Sequence, residues 1–198
     1  MAILHGGAAM PSLRIFISHR TEDHHLAEVI KQNIEFLSDG QIECAVSNAI
    51  PGGDEWHEWI KQQAVKSDLL LLLYTIADHD WDWCVREVSL FEGAKLASGT
   101  KPRVTGFLGN ELEPLAVIAQ HQFFKATTAE VERFLRELLG KGTYTDGQPI
   151  VPGLISQRGQ DFRQARDAIA SELQRIVQPE EYFHRRIVIR FPMVDAAT

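Results

Sequence analysis

A carboxylate interrupts an apolar stripe in the middle of this chain. Trp83, Glu87, Leu90 and Ala94 recur at three- and four-residue intervals, so a helix through them gathers them on one inward face, and Glu87 is its charged member. Two chemistries suit that placement. A glutamate in the first turn of a helix stabilises the helix dipole by roughly 0.3–1 kcal/mol. Alternatively, Glu87 lines a pocket with Trp83 as an aromatic wall, where partial desolvation tunes the carboxyl group for hydrogen bonding or acid–base work. Spacing alone leaves both open. The remaining titratable clusters point to less. His24, His25 and His79 have no metal-ligand spacing with a partner carboxylate and read as solvated histidines. Asp78, Asp80 and Asp82 alternate with His79 and Trp81, but lack the glycine and distal glutamate of a calcium loop, which leaves an exposed acidic turn. Cys44 and Cys84 form no CxxC or Cys/His pairing and are expected to be reduced, partly buried thiols.

The elements that must hold Glu87 follow from periodicity. Leu13 to Ser18 is a short apolar strand, after which Thr21 offers an N-cap hydroxyl and Glu22 and Asp23 suit a first helical turn. The helix carries Leu26, Val29, Ile30, Ile34 and Leu37 at helical spacing, and Asp39-Gly40 ends it. A second strand covers Gln41 to Val46. The Ser47 to Gly53 loop is built on Ile50-Pro51-Gly52-Gly53, and Asp54 caps a helix with Trp56, Trp59, Ile60 and Ala64 on one side. The leucine run within Asp68 to Thr75 fits a central parallel strand buried on both faces.

The helix bearing Glu87 then runs to about Leu96, followed by strand Arg103 to Leu108 and a weaker strand at Gln122 to Ala126. Thr127 or Thr128 caps a helix with Val131, Phe134, Leu135, Leu138 and Leu139. This β-α alternation, about five times over, predicts an α/β fold with a parallel sheet between helical layers and right-handed crossovers. Gly140 to Gln160 reads as a long connecting loop, and a helix at about Asp161 to Val177 and a strand at Arg185 to Phe191 follow it. The organisation is therefore a domain over 12–140 and, over 141–198, a linker, helix and strand of an appendage or the start of a second domain.

In an open parallel sheet, ligands sit beyond the carboxyl ends of the strands where strand order reverses. That rule selects Ser18-His19-Arg20, Tyr74 to Asp82 and the start of the Glu87 helix, with the Ser47 to Gly53 loop on the same rim. Composition narrows the partners. A net charge of −7 over 198 residues argues against a phosphate-backbone footprint, so nucleic acid is not an expected partner. The longest apolar run, Leu69 to Tyr74, has the length of a core strand, and the amino terminus lacks a secretory pattern, so a cytoplasmic protein without a membrane partner is expected.

Several of these landmarks also occur together elsewhere. Phe16-Ile17-Ser18-His19-Arg20 followed by Asp23, Ile50-Pro51-Gly52 followed by Trp56, Ser67-Asp68 before the leucine run, and Trp83-Cys84 with Glu87 resemble, in that order, the signatures of TIR (Toll/interleukin-1 receptor) domains. The resemblance spans Leu13 to about Leu139 and does not cover 140–198. It implies a flavodoxin-like three-layer fold with a five-stranded parallel sheet. TIR domains divide into scaffolds for homotypic TIR–TIR assembly and enzymes that cleave NAD, and the enzymes resemble one another in a glutamate at the position of Glu87.

The enzymatic branch implies an NAD glycohydrolase or cyclase acting in immune or antiviral signalling. It would release nicotinamide and leave ADP-ribose or a cyclic isomer, be activated by self-association, and need no cofactor beyond NAD as substrate. Glu87 would be catalytic, Trp83 would pack on a ring of the substrate, Arg20 would meet the diphosphate as a bidentate fork, and Ser18, His19, Pro51 and Gly52 would shape the rim. Arg20 reads equally as a solvated surface arginine. His19 stands where many relatives carry tyrosine, so a hydrogen bond is expected there in place of ring stacking. The segment after Gly140 would join a sensor or partner domain. The alternatives are a non-catalytic TIR scaffold, in which Glu87 serves its helix, and a nucleoside-processing enzyme of similar architecture.

Overall fold

The computed structural model describes residues 12–46, 54–76, 81–109 and 111–177, and for 54–57 the backbone alone. The expected loop at Ser47 to Gly53, with Pro51 and Gly52, the side chain of Trp56, Asp78 to Asp80, and the strand at Arg185 to Phe191 lie outside the described residues. Five strands form one parallel sheet: β1 (Leu13–Ser18), β2 (Ile42–Val46), β3 (Leu69–Tyr74), β4 (Val104–Leu108) and β5 (Gln122–Lys125), in the order β2-β1-β3-β4-β5. That is the flavodoxin-like order, and its reversal lies between β1 and β3.

Side-chain alternation along the strands divides the molecule in two. Ile15 and Ile17 of β1, Leu69, Leu71 and Leu73 of β3 and Phe107 of β4 pack with α1 (His24–Leu37), α4 (Thr128–Leu135) and α5 (Leu154–Val177). Phe16, Leu70, Leu72, Tyr74 and Leu108 point the other way, against α2 (Asp54–Lys66) and α3 (Asp82–Ala97). Helices on both faces leave no polar side for β3, which is why all six of its residues are buried and a leucine run fits it.

Three local expectations are corrected. Thr21 does not cap α1. It opens one 3₁₀ turn, Thr21–Asp23, and Asp23 enters α1 without a side-chain cap bond because its carboxylate is engaged elsewhere. Among its described residues the link from β4 to β5 contains no helix, only hydrogen-bonded turns through Ile118, so the β-α alternation is broken once. Pro114 within this link disfavours a helix there. Finally, the helix expected from about Asp161 is joined by an earlier helical stretch that begins at Leu154, inside the expected loop, and the two run together as α5. Leu154 is buried in the core, and the helix bends at Arg158, whose backbone is non-helical.

Other signals held. Asp39 (φ 49°) and Gly40 (φ 74°) terminate α1, with the Gly40 N–H donating to Glu35 O at 3.0 Å. Thr127 caps α4, its hydroxyl accepting from Glu130 N. The segment after Gly140 shares the main core: Tyr144, Ile150, Val151, Leu154, Phe162, Ala165, Ile169 and Leu173 pack with the residues of β1, β3 and α1. Arg158 Nη1 donates to Phe36 O and Leu37 O at 3.0 Å and to Asp39 Oδ1 at 2.8 Å, placing a cation on the open carbonyls at the end of α1.

Candidate functional site at the carboxyl edge of the sheet

Ser18 is the last residue of β1 on the α3-facing side, and α3 lays Glu87 over it. The inward face of α3 is Cys84, Glu87, Val88, Phe91 and Lys95. This corrects the expected stripe, because Leu90 is exposed and Trp83 and Ala94 are only half-buried. Phe91, fully enclosed against α2 and the sheet, sets the rotation of the helix. Glu87 stays on the inward face and is 1% exposed. It is also the sixth residue of α3, beyond the first turn within which a helix dipole acts. A dipole gain below about 1 kcal/mol does not offset burial of a carboxylate.

The carboxyl group is only half satisfied. Trp83 Nε1 donates to Glu87 Oε1 at 2.8 Å, whereas Glu87 Oε2 has no hydrogen-bond partner and no cation faces the group among the described residues. Burial pushes its pKa up to about 7, and the Ser18 hydroxyl and the Trp83 N–H pull it partly back. Ser18 is close enough for that influence, yet its Oγ, wholly buried, completes no well-formed hydrogen bond. Two enclosed polar atoms, Ser18 Oγ and Glu87 Oε2, are thus left unsatisfied side by side. Cys84, one turn before Glu87, is a free thiol pushed up to about 12 by burial and by the Glu87 charge, so it stays protonated and is a poor nucleophile.

Arg20 is not a solvated arginine. It is 8% exposed and pairs with Asp23, Nε donating to Oδ2 at 2.8 Å and Nη2 to Oδ1. Thr75 Oγ1, just past β3, donates to the same Oδ2 at 2.6 Å. The guanidinium carbon stands 5.8 Å from the Trp81 ring, which packs on Tyr74 with centroids 4.4 Å apart and donates through Nε1 to Ile76 O. His19 is buried and its Nδ1 meets the Arg20 carbonyl.

Ser18, His19, Arg20, Trp83 and Glu87 therefore gather at the β1/β3 edge, while Pro51 and Gly52 fall outside the described residues. Asp23 was named from sequence only as a first-turn acid and a signature residue, and Thr75 and Trp81 only within the Tyr74 to Asp82 rim segment, so none of the three was given a role at the site. Asp23 looks like an ordinary first-turn acid, and Trp81 is hidden within an acidic stretch. The signal for Asp23 was its three-residue offset from Arg20, which on one helical turn places an acid beside a base. The comparisons with known proteins give no family: no family model matches this chain, and no curated protein matches it.

Proposed function

We propose that this chain is a TIR-type NAD glycohydrolase or cyclase, with Glu87 as its catalytic residue. The observation that carries the reading is the half-satisfied carboxylate. A fold that needed only packing at this position would place an apolar side chain or a glutamine there, since an unpaired buried carboxylate costs several kcal/mol. Glu87 Oε2 and Ser18 Oγ together suit a ligand bearing vicinal hydroxyls, such as a ribose. Departure of cationic nicotinamide leaves positive charge on the ribose, which a carboxylate in a low-dielectric site stabilises. Water then adds at the vacated carbon for hydrolysis, or a nitrogen of the adenine adds for cyclisation.

Trp83 holds Glu87 Oε1 and offers its ring to the substrate, and Arg20 supplies a cation at the same edge. With Glu87 1% exposed, entry of substrate requires the rim to rearrange, and self-association is the trigger that fits this requirement. A role in immune signalling and partner domains beyond residue 177 belong to the same reading.

The test is direct. Concentrated protein, with and without a crowding agent, is incubated with NAD and the products are separated beside Glu87→Ala. Nicotinamide release that disappears in the variant supports the enzyme and identifies the nucleotide product. NAD left intact under conditions where the protein demonstrably assembles gives the lead to a TIR scaffold.

A further inference from the structure

We propose that Asp23 and Thr75 are positioning residues for Arg20, holding its guanidinium so that it meets a diphosphate-bearing ligand through its Nη1 edge alone. The proposal rests on the reading of this edge as a dinucleotide site, and it departs from the bidentate fork that the sequence suggests for Arg20. The fork face is already taken: Nε and Nη2 both donate to the Asp23 carboxylate, and Nη1 makes no hydrogen bond among the described residues. The guanidinium carbon lies over the Trp81 ring, 5.8 Å from its centroid.

The pair is a fixture and not a latch. Asp23 is 1% exposed, and if Arg20 swung away the carboxylate would keep, among the described residues, only the Thr75 hydroxyl as a side-chain donor. Stripping a buried carboxylate of its cation is strongly unfavourable, so a ligand is expected to bind Arg20 where it stands. Thr75 in turn fixes which way Asp23 faces, by donating to the oxygen that also accepts Arg20 Nε. The three residues come from three elements that meet at one edge: Arg20 after β1, Asp23 at the entry to α1, and Thr75 after β3. Cys84, one turn before Glu87, lies within electrostatic reach of both Asp23 and Arg20, which puts the pair and the carboxylate at the same end of α3.

Calorimetry on the full chain separates the two halves of the substrate. ADP-ribose carries the diphosphate without the pyridinium, and nicotinamide riboside carries the pyridinium without the diphosphate. Arg20→Gln, Asp23→Asn and Thr75→Val are each expected to weaken ADP-ribose about tenfold, the scale of one charge-assisted hydrogen bond, and to leave nicotinamide riboside unchanged. Thr75→Ser, which keeps the hydroxyl, is expected to bind as the wild type does, and Asp23→Asn combined with Arg20→Gln to lose no more than Arg20→Gln alone.

A Thr75→Val protein that melts like the wild type and binds ADP-ribose equally well overturns the proposal. So does parallel weakening of both ligands, which marks Asp23 and Thr75 as supports of the fold only. Cleavage of NAD by a wild type that does not bind ADP-ribose overturns the positioning and spares the enzyme reading. ADP-ribose binding that depends on Asp23 in a protein inert toward NAD supports the positioning and sinks the proposed reaction.

Discussion

On one side of the sheet, Ile17, Leu71, Leu73 and Phe107 close against Phe134, Phe162 and Ile169, and the charges lie outside as pairs such as Arg166–Glu132. At the carboxyl edge, one residue beyond Ile17, the same strand delivers Ser18 to an end of the sheet where Arg20, Asp23, Thr75 and Glu87 are also buried. The first region satisfies its apolar surface completely. Among the described residues, the second leaves Ser18 Oγ and Glu87 Oε2 unsatisfied side by side and faces the Glu87 carboxylate with no cation, whereas the first leaves one buried hydroxyl, that of Tyr144, without a partner. Stability is built in the one, and a local penalty is retained in the other. Such a penalty is a signature of sites that act on ligands.

The comparison breaks most readily at Glu87. Glu87→Gln is expected to lower NAD cleavage by on the order of 10²–10⁴-fold while the protein stays folded, measured by nicotinamide release. A variant of undiminished activity would reduce the carboxyl edge to an expensive piece of core. On the opposite side, Phe162→Ala is expected to cost about 3–5 kcal/mol in urea unfolding and to leave turnover unchanged where the variant is folded.

The same glutamine variant has a stability signature with a defined sign. Because the Glu87 pKa rises from 4.5 to about 7 on folding, the folded state holds the proton more tightly. The stability this contributes is complete below pH 4.5 and is lost as pH climbs through about 7. Glu87→Gln, neutral throughout, is therefore expected to gain on the wild type above pH 7, by up to about 3 kcal/mol, and to show little gain at pH 5. Equal stability differences at pH 5 and pH 8.5 would show that the carboxylate is better solvated than its burial indicates.

Smaller effects sharpen the contrast. Arg158→Ala, which bares the last carbonyls of α1, is expected to cost about 1–3 kcal/mol, read as a lower melting temperature with unchanged chemistry. Trp83→Phe removes the donor to Glu87 Oε1, and that donor favours the charged form. The acidic limb of the pH–rate profile should therefore move upward by less than about one pH unit. An unmoved limb would mean that Glu87 does not set it.

How far the sequence carried differs between the two regions for a physical reason. The leucine run of β3, the Asp39-Gly40 stop and the Thr127 cap are local devices, and each was readable within a few residues. The parallel sheet followed from β-α alternation and its flavodoxin-like form was implied by the resemblance, although the helix-free link from β4 to β5 followed from neither, since turns carry no period. At the site, Glu87 was visible as a charge among apolar residues even though the stripe assigned to it was rotated, because Leu90 and Phe91 are equally apolar neighbours and packing against α2 chose between them. The Arg20–Asp23–Thr75 network was not visible, because Thr75 joins it from a different strand. Likewise Gly140 to Gln160 looked like a linker by composition, and only the burial of Tyr144, Ile150 and Leu154 ties it to the core.

The clasp between Arg158 and the end of α1 also has a mechanical reading. α1 is a rigid rod of 14 residues, about 21 Å long, with Asp23 at its head and the Phe36 and Leu37 carbonyls at its foot. Arg158 grips the foot from the bend in α5, and Asp23 grips Arg20 from the head. A tug on α5 strong enough to shift it must either break Arg158 away from three acceptors or drag the rod, and with it the guanidinium at the rim. The last described helix of the chain is in this sense a handle, and α1 is the shaft that joins it to Arg20.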